Sequence, residues 1–252
     1  KQAVAVANGH KLLTGPAASA ITIAADGARE NGVEVADKGN GQALEPFYAG
    51  LRDRLIVNFE IRNLLHKPKL VAVTSCNKGA GVSTIAAGLA ASLSETGDGN
   101  VLLVDMNAEQ GMAQQFYKGR PGCALDDALE SETMNNALIE GNLYVASERL
   151  DGDTLPRVLP RRFASLMPKL KASDYDYIIF DMPPVSQTSM TPRLAGLMDM
   201  VLLVIESEKT NVDVVKRANA LLAESRANVS AVLNKTRTYI PPKLHQEFLN
   251  DT

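Results

Sequence analysis

Short, almost wholly apolar runs alternate along this chain with stretches whose apolar residues recur every three or four positions. The runs lie at residues 71–74, 101–105 (VLLVD), 143–146, 177–181 (YIIFD), 201–205 (VLLVI) and 229–233. Continuous apolar character suits strands of a parallel sheet, which helices cover on both faces. Between the runs, helical spacing is visible at Ile85, Leu89 and Leu93, and over residues 125–129, 163–170, 194–198 and 212–222. Strands alternating with helices predict right-handed βαβ crossovers, hence an α/β fold with a doubly wound, mostly parallel sheet in three α/β/α layers. Ligands of such sheets sit outside the C-terminal strand ends.

The pattern starts late. Residues 1–44 are rich in Ala, Gly and small polar residues, and read as a flexible linker or tether with one short strand near residues 21–24. From Glu45 the character changes. Phe47, Leu51, Leu55 and Phe59 recur every fourth position, predicting an amphipathic helix from Glu45 to about Leu65, with Pro46 in its first turn and Pro68 ending it. One domain over residues 45–252 follows, closing on a short helical pattern with Leu244, Phe248 and Leu249.

Composition changes this picture little. At 252 residues and 45% apolar the chain can bury a full core. A net charge of −3 gives no basic footprint for nucleic acid. No apolar run approaches the ~20 residues of a membrane-spanning helix. Two cysteines, Cys76 and Cys123, suggest no disulfide framework and suit a reducing cytoplasm.

The most informative stretch is residues 69–89, KLVAVTSCNKGAGVSTIAAGL. It reads as strand, Gly-containing loop and helix N-terminus, the arrangement in which backbone N–H groups and the helix dipole cradle phosphate. The P-loop template G-x-x-x-x-G-K-[ST] lies over residues 76–83 with two misses: Cys76 replaces the first glycine and Val82 stands where the lysine belongs. Lys78, Gly79, Ala80, Gly81, Val82, Ser83 and Thr84 are the candidate phosphate contacts. Small residues at such a turn also serve packing alone, and that reading stays open here. Asp105 and Asp181 each end an apolar strand; with the Ser83 hydroxyl they could hold Mg²⁺, which prefers a few oxygens and retained waters. The alternative is that each aspartate caps the segment after it.

TSCNKGAGVST, VLLVDMNAEQG and YDYIIFDMPPV resemble, in order, the Walker A, Walker A′ and Walker B segments of the bacterial tyrosine kinase family, the cytoplasmic P-loop NTPase-like domains of polysaccharide co-polymerases. The family is related to the partition and septum-placing ATPases. The resemblance runs from about Phe47 to Tyr239. It implies that Ser83, Asp105 and Asp181 organise Mg·ATP or Mg·ADP, with Asp105 and Asp181 as the catalytic and metal-binding carboxylates. It also implies that Thr84 adds a loop contact and that Asn234, in AVLNK, touches adenine. An amide can donate to and accept from the adenine edge; a strand-end asparagine in a turn is the alternative.

Departures from the family pattern point the other way. The Walker A lysine is Val82, the second A′ aspartate is Asn107 and the A′ arginine is Glu109. A cation about 4 Å from a phosphate oxygen is worth roughly 4 kcal/mol at an effective dielectric near 20. Its loss weakens nucleotide binding on the order of a thousandfold. Asn107 removes the hydroxyl-activating carboxylate. The tyrosine-rich tail of active members is reduced to Tyr239, and their arginine-bearing assembly motif survives only around Leu51, Arg52 and Leu55, which puts the ring-like homo-oligomer of relatives in question.

The expectation is therefore a catalytically degenerate kinase-like protein, binding Mg·ATP, Mg·ADP or no nucleotide, that regulates exopolysaccharide or capsule production through a membrane co-polymerase partner. The implied location is the cytoplasmic side of the inner membrane, reached through that partner or a segment upstream of Lys1. Two alternatives remain: an autokinase or ATPase in which Lys78 replaces the missing lysine, and a membrane-associated spatial-organising ATPase. His10, His66 and His245 lack ligand spacing. Arg157, Arg161 and Arg162 read as a solvated helix face or an anion-facing cluster. Cys76 reads as a buried small residue or, at a helix N-terminus, a low-pKa thiol.

Overall fold

The computed structural model describes residues 6–7, 10–11, 19–22, 38–97, 99–106, 123–147, 155–185 and 190–236. In chain order the elements are β1 (Val6–Ala7), β2 (His10–Lys11), β3 (Ser19–Thr22), α1 (Lys38–Ile61), β4 (Lys69–Ser75), α2 (Val82–Ser94), β5 (Val101–Asp105), β6 (Cys123–Ala124), α3 (Leu125–Ala128), β7 (Leu138–Glu140), β8 (Leu143–Ser147), α4 (Leu155–Ala172), β9 (Tyr177–Asp181), α5 (Met190–Ala195), β10 (Met200–Glu206), α6 (Val212–Glu224) and β11 (Val229–Asn234). Among these, the main sheet runs β3-β11-β10-β4-β9-β5-β8-β6, with β7 added antiparallel to β8 and every other pairing parallel. The expected α/β architecture is present.

Alternation within each strand builds the three layers. Val71, Val73, Val101, Leu103, Ile179, Leu202 and Val204 pack with α1 and α2 on one face, while Leu70, Ala72, Leu102, Val104, Ile178, Phe180, Val201 and Leu203 pack with α4, α5 and α6 on the other. Both sets are buried because successive side chains of a strand point to opposite faces. Full burial of one such aliphatic side chain stabilises the fold by about 1.5–3 kcal/mol.

Several elements differ from expectation: α4 starts at Leu155, ahead of the 163–170 pattern, α5 (Met190–Ala195) overlaps only the start of 194–198, and α1 stops at Ile61, short of Leu65. Helix α1 begins at Lys38, not Glu45, so Pro46 lies inside the helix and not in its first turn. The proline has no N–H to give the carbonyl four residues back. Its helix is anchored downstream instead, where Leu51, Leu55 and Phe59 are all buried against the sheet side. The short strand expected near residues 21–24 lies at Ser19–Thr22 and pairs parallel with β11 at the sheet edge. Strands β6 and β7 have two and three residues, too few for a periodic signal.

Charged side chains tie the strand beginnings. Asp199 accepts the Leu70 N–H at 2.8 Å and pairs with His66 at 3.0 Å. Asp176 accepts the Asn100 N–H at 2.9 Å and pairs with Lys67, and a Cβ at Gly99 would collide with it. These contacts hold the N-terminal ends of β4 and β5, and the opposite, C-terminal ends carry the loops described next. Among the described residues no helix is long and apolar enough to cross a membrane.

Candidate functional site

Strand β4 is the middle strand of its neighbourhood, between β10 and β9, and the loop of residues 76–81 leaves its C-terminal end. Gly79 and Gly81 take positive φ, +80° and +93°, a conformation that costs a side chain about 1–2 kcal/mol. Ser75 closes the loop by donating its hydroxyl to the Asn77 carbonyl at 2.7 Å. Helix α2 then begins at Val82 with Gly81 as its N-cap and no side-chain cap, so its first N–H groups face the loop mouth. A cavity of about 260 Å³ opens there, lined by Ser75, Asn77, Lys78, Gly79, Gly81, Val82, Ser83, Thr84, Pro184 and Lys235.

The two aspartates stand side by side. Asp105 and Asp181 are register partners at the ends of β5 and β9, and both are buried. Because β9 directly neighbours β4, Asp181 meets the loop helix: it accepts a hydrogen bond from Ser83. Its Oδ1 is buried without a hydrogen-bond partner. Burial pushes the Asp181 carboxyl up to about 7, the Asp105 charge adds to this, and the Ser83 bond opposes it. A buried hydroxyl beside two neighbouring carboxylates, one with an unsatisfied oxygen, fits a hard divalent cation such as Mg²⁺. Ser83, Asp105 and Asp181 would hold it.

Val82 is 7% exposed and packs in the apolar layer with Ala80, Ile85 and Ala86, though one edge reaches the cavity. Lys78 and Thr84 are exposed and line the cavity. Asn234 ends β11 and donates its side-chain amide to the Ala80 carbonyl at 2.9 Å, bracing the loop. Cys76 is buried and desolvation pushes its thiol up to about 11, opposite to a low-pKa thiol and in keeping with a packing residue. Asn107, Glu109, Tyr239 and the terminal residues 241–252 lie outside the described residues, as do the side chains of Arg157 and Arg161. Arg162 pairs with Asp126 at 3.2 Å on an exposed surface.

Sequence reading missed three charged neighbours. Lys235 donates to the Gly79 carbonyl at 2.7 Å and to Glu206 at 3.0 Å, and Lys209 pairs with Glu206 at 3.1 Å. Glu206 directly follows VLLVI, but Lys209 lies three residues further on and Lys235 comes after Asn234 in AVLNK, so no local pattern marked the three as neighbours. Thr74 and Thr191 were also missed; both hydroxyls donate to the Pro183 carbonyl, at 2.8 and 2.9 Å, and pin the segment following Asp181.

No family model matches the chain. In sequence it is 28% identical over 169 residues to EpsB of Ralstonia nicotianae, a match covering 65% of this chain and 22% of that protein. It is 26% identical over 211 residues to CapB of Staphylococcus aureus, covering 80% of this chain and 88% of that one. Both relatives are named as candidate tyrosine-protein kinases, and this chain spans only about a fifth of EpsB. Among solved structures it is similar to the kinase domain of Escherichia coli tyrosine kinase ETK, with a TM-score of 0.63, 18% identity and 77% of each chain covered. The sequence matches and the sheet agree: the chain is similar to proteins named as bacterial tyrosine-protein kinases, and it shares the P-loop NTPase-like α/β/α fold of their solved domains.

Proposed function

We propose that this protein is a regulatory, catalytically degenerate counterpart of the bacterial tyrosine kinases, acting in exopolysaccharide or capsule production by docking to a membrane co-polymerase. One observation carries the reading. Where the P-loop template has its lysine, Val82 is buried in the apolar layer, while the neighbouring Ser83–Asp181 contact is kept. Phosphoryl transfer depends on positioning and charge stabilisation, so a loop with its shape but without that lysine retains binding better than it retains turnover. A Mg²⁺ held by Ser83, Asp105 and Asp181 would neutralise phosphate charge. The loop N–H groups would orient the phosphates.

Calorimetry with Mg·ATP and Mg·ADP tests the binding half of this reading; weak but saturable heat is expected, tightened by Val82→Lys. Self-labelling from ATP tests the other half. Tyrosine phosphorylation no faster than in a Ser83→Ala, Asp105→Ala control is expected, and a rate well above that control overturns degeneracy. Docking is tested by co-purification with a detergent-solubilised co-polymerase, where failure to associate removes the partner. An active enzyme using Lys78 has one observation in its favour, that Lys78 lines the cavity. In that case Lys78→Ala abolishes turnover.

A further inference from the structure

Strand register brings to the loop a cation from 156 positions further along the chain. Glu206 and Asn234 are register partners where β10 and β11 end, and the Ser207 N–H donates to the Asn234 carbonyl at 2.9 Å. Lys235 follows in the left-handed conformation, φ +56°, which turns the chain sharply. Its ammonium then sits between the Gly79 carbonyl, 2.7 Å away, and the Glu206 carboxylate, 3.0 Å away. Lys235 lines the same cavity as Gly79, Gly81, Ser83 and Thr84. Glu206 is buried and has a second cationic partner, Lys209, at 3.1 Å. It therefore stays neutralised if Lys235 turns away. At the other edge of the loop helix, the buried Asp181 oxygen without a partner marks where a cation accompanying phosphate would lie.

We infer that Lys235 is the phosphate-binding cation of this site, standing in for the lysine absent at position 82, and that Glu206 holds it beside the loop until a nucleotide's terminal phosphates take it. The inference rests on the nucleotide reading above and names the residue that makes it work. An ammonium is a flexible point charge on a four-carbon stem, so it can exchange a carboxylate for a phosphate oxygen by rotating about its side-chain bonds. The ligand class is a nucleoside diphosphate or triphosphate. A nucleoside monophosphate leaves the outer position empty and gains little from Lys235.

The test is calorimetry of Mg·ADP and AMP on the full chain, comparing the native protein with Lys235→Ala, Lys235→Arg, Glu206→Gln, Lys78→Ala and the Lys235→Ala, Glu206→Gln pair. Loss of one charge-assisted hydrogen bond predicts Mg·ADP binding about ten- to a hundredfold weaker in Lys235→Ala, with AMP changed less than threefold. Lys235→Arg recovers most of the loss and Lys78→Ala changes Mg·ADP binding less than Lys235→Ala does. Glu206→Gln tightens Mg·ADP binding several-fold, and this gain disappears in the Lys235→Ala background. Thermal melts of each variant check folding. Equal Mg·ADP affinity in Lys235→Ala, or a parallel weakening of Mg·ADP and AMP, overturns the inference and leaves Lys235 as a strap on the loop. Absence of Mg·ADP binding by the native protein overturns the nucleotide reading itself, and this inference with it.

Discussion

The side-chain amide of Asn234 lies 2.9 Å from the carbonyl oxygen of Ala80, joining the end of β11 to the loop that follows β4. Gly81 stands directly against that amide, with no room for a Cβ. The loop's shape is thus set by a residue from another strand, and the glycine is required twice, by its φ of +93° and by its neighbour.

Gly81→Ala is expected to destabilise the protein by about 2 kcal/mol or more, combining left-handed strain with displacement of Asn234. Asn234→Ala removes one hydrogen bond, at about 1 kcal/mol. In that background part of the Gly81→Ala penalty disappears, because the collision is gone and the strain stays. Urea denaturation of the four proteins in this cycle checks the coupling.

Asp181 makes stability depend on pH. Its carboxyl is pushed up to about 7 in the folded protein, so the native state holds this proton more tightly than the unfolded chain, whose aspartates titrate at about 4. Its contribution is most favourable below pH 4, falls as pH rises from 4 to 7, and is level above. Asp181→Asn removes this dependence. In metal-free buffer the variant should gain about 1–3 kcal/mol relative to the native protein between pH 5 and pH 8. Denaturant titrations across that range would show it, and parallel curves would contradict it.

Thr74 and Thr191, both buried, share the Pro183 carbonyl as acceptor. Replacing either by valine leaves the oxygen one donor, for a loss of about 1 kcal/mol. Replacing both leaves it with neither hydroxyl inside the protein. The double variant should lose more than the sum of the single losses, a coupling that a double-mutant cycle measures directly.

Gly88, on α2, faces the Tyr48 ring on α1, and any Cβ there meets it. Gly88→Ala ordinarily favours a helix by about 1 kcal/mol. Here the ring must move, so the substitution should lower the melting temperature. In a Tyr48→Ala background the same substitution should raise it. The change of sign separates packing from helix propensity.

How much was legible in the sequence varies with the range of the contact. Each apolar run from 101–105 to 229–233 is a strand within a residue or two, because a strand covered on both faces needs continuous apolar character. The P-loop stretch was legible for the same local reason: strand, turn and helix start are contiguous, so Gly79, Gly81, Ser83 and Thr84 lie at one cavity. The start of α1 was not. Pro46 reads as a helix beginning, yet the helix extends back to Lys38, and packing at Leu51, Leu55 and Phe59 outweighs the missing hydrogen bond. Strands β6 and β7 were too short to show a period.

By itself, then, the sequence determined the layered α/β scaffold, the place of the loop and the two aspartates at strand ends. Hydrophobic period records which faces are buried, and motif spacing records a turn that one stretch of chain makes alone. Only the tertiary structure decided that Asp181 meets Ser83, since that follows from β9 lying next to β4. It alone placed Lys235 at Gly79, residues 156 positions apart. Such a contact is set by strand order and register, which depend on the whole sheet and leave no local trace.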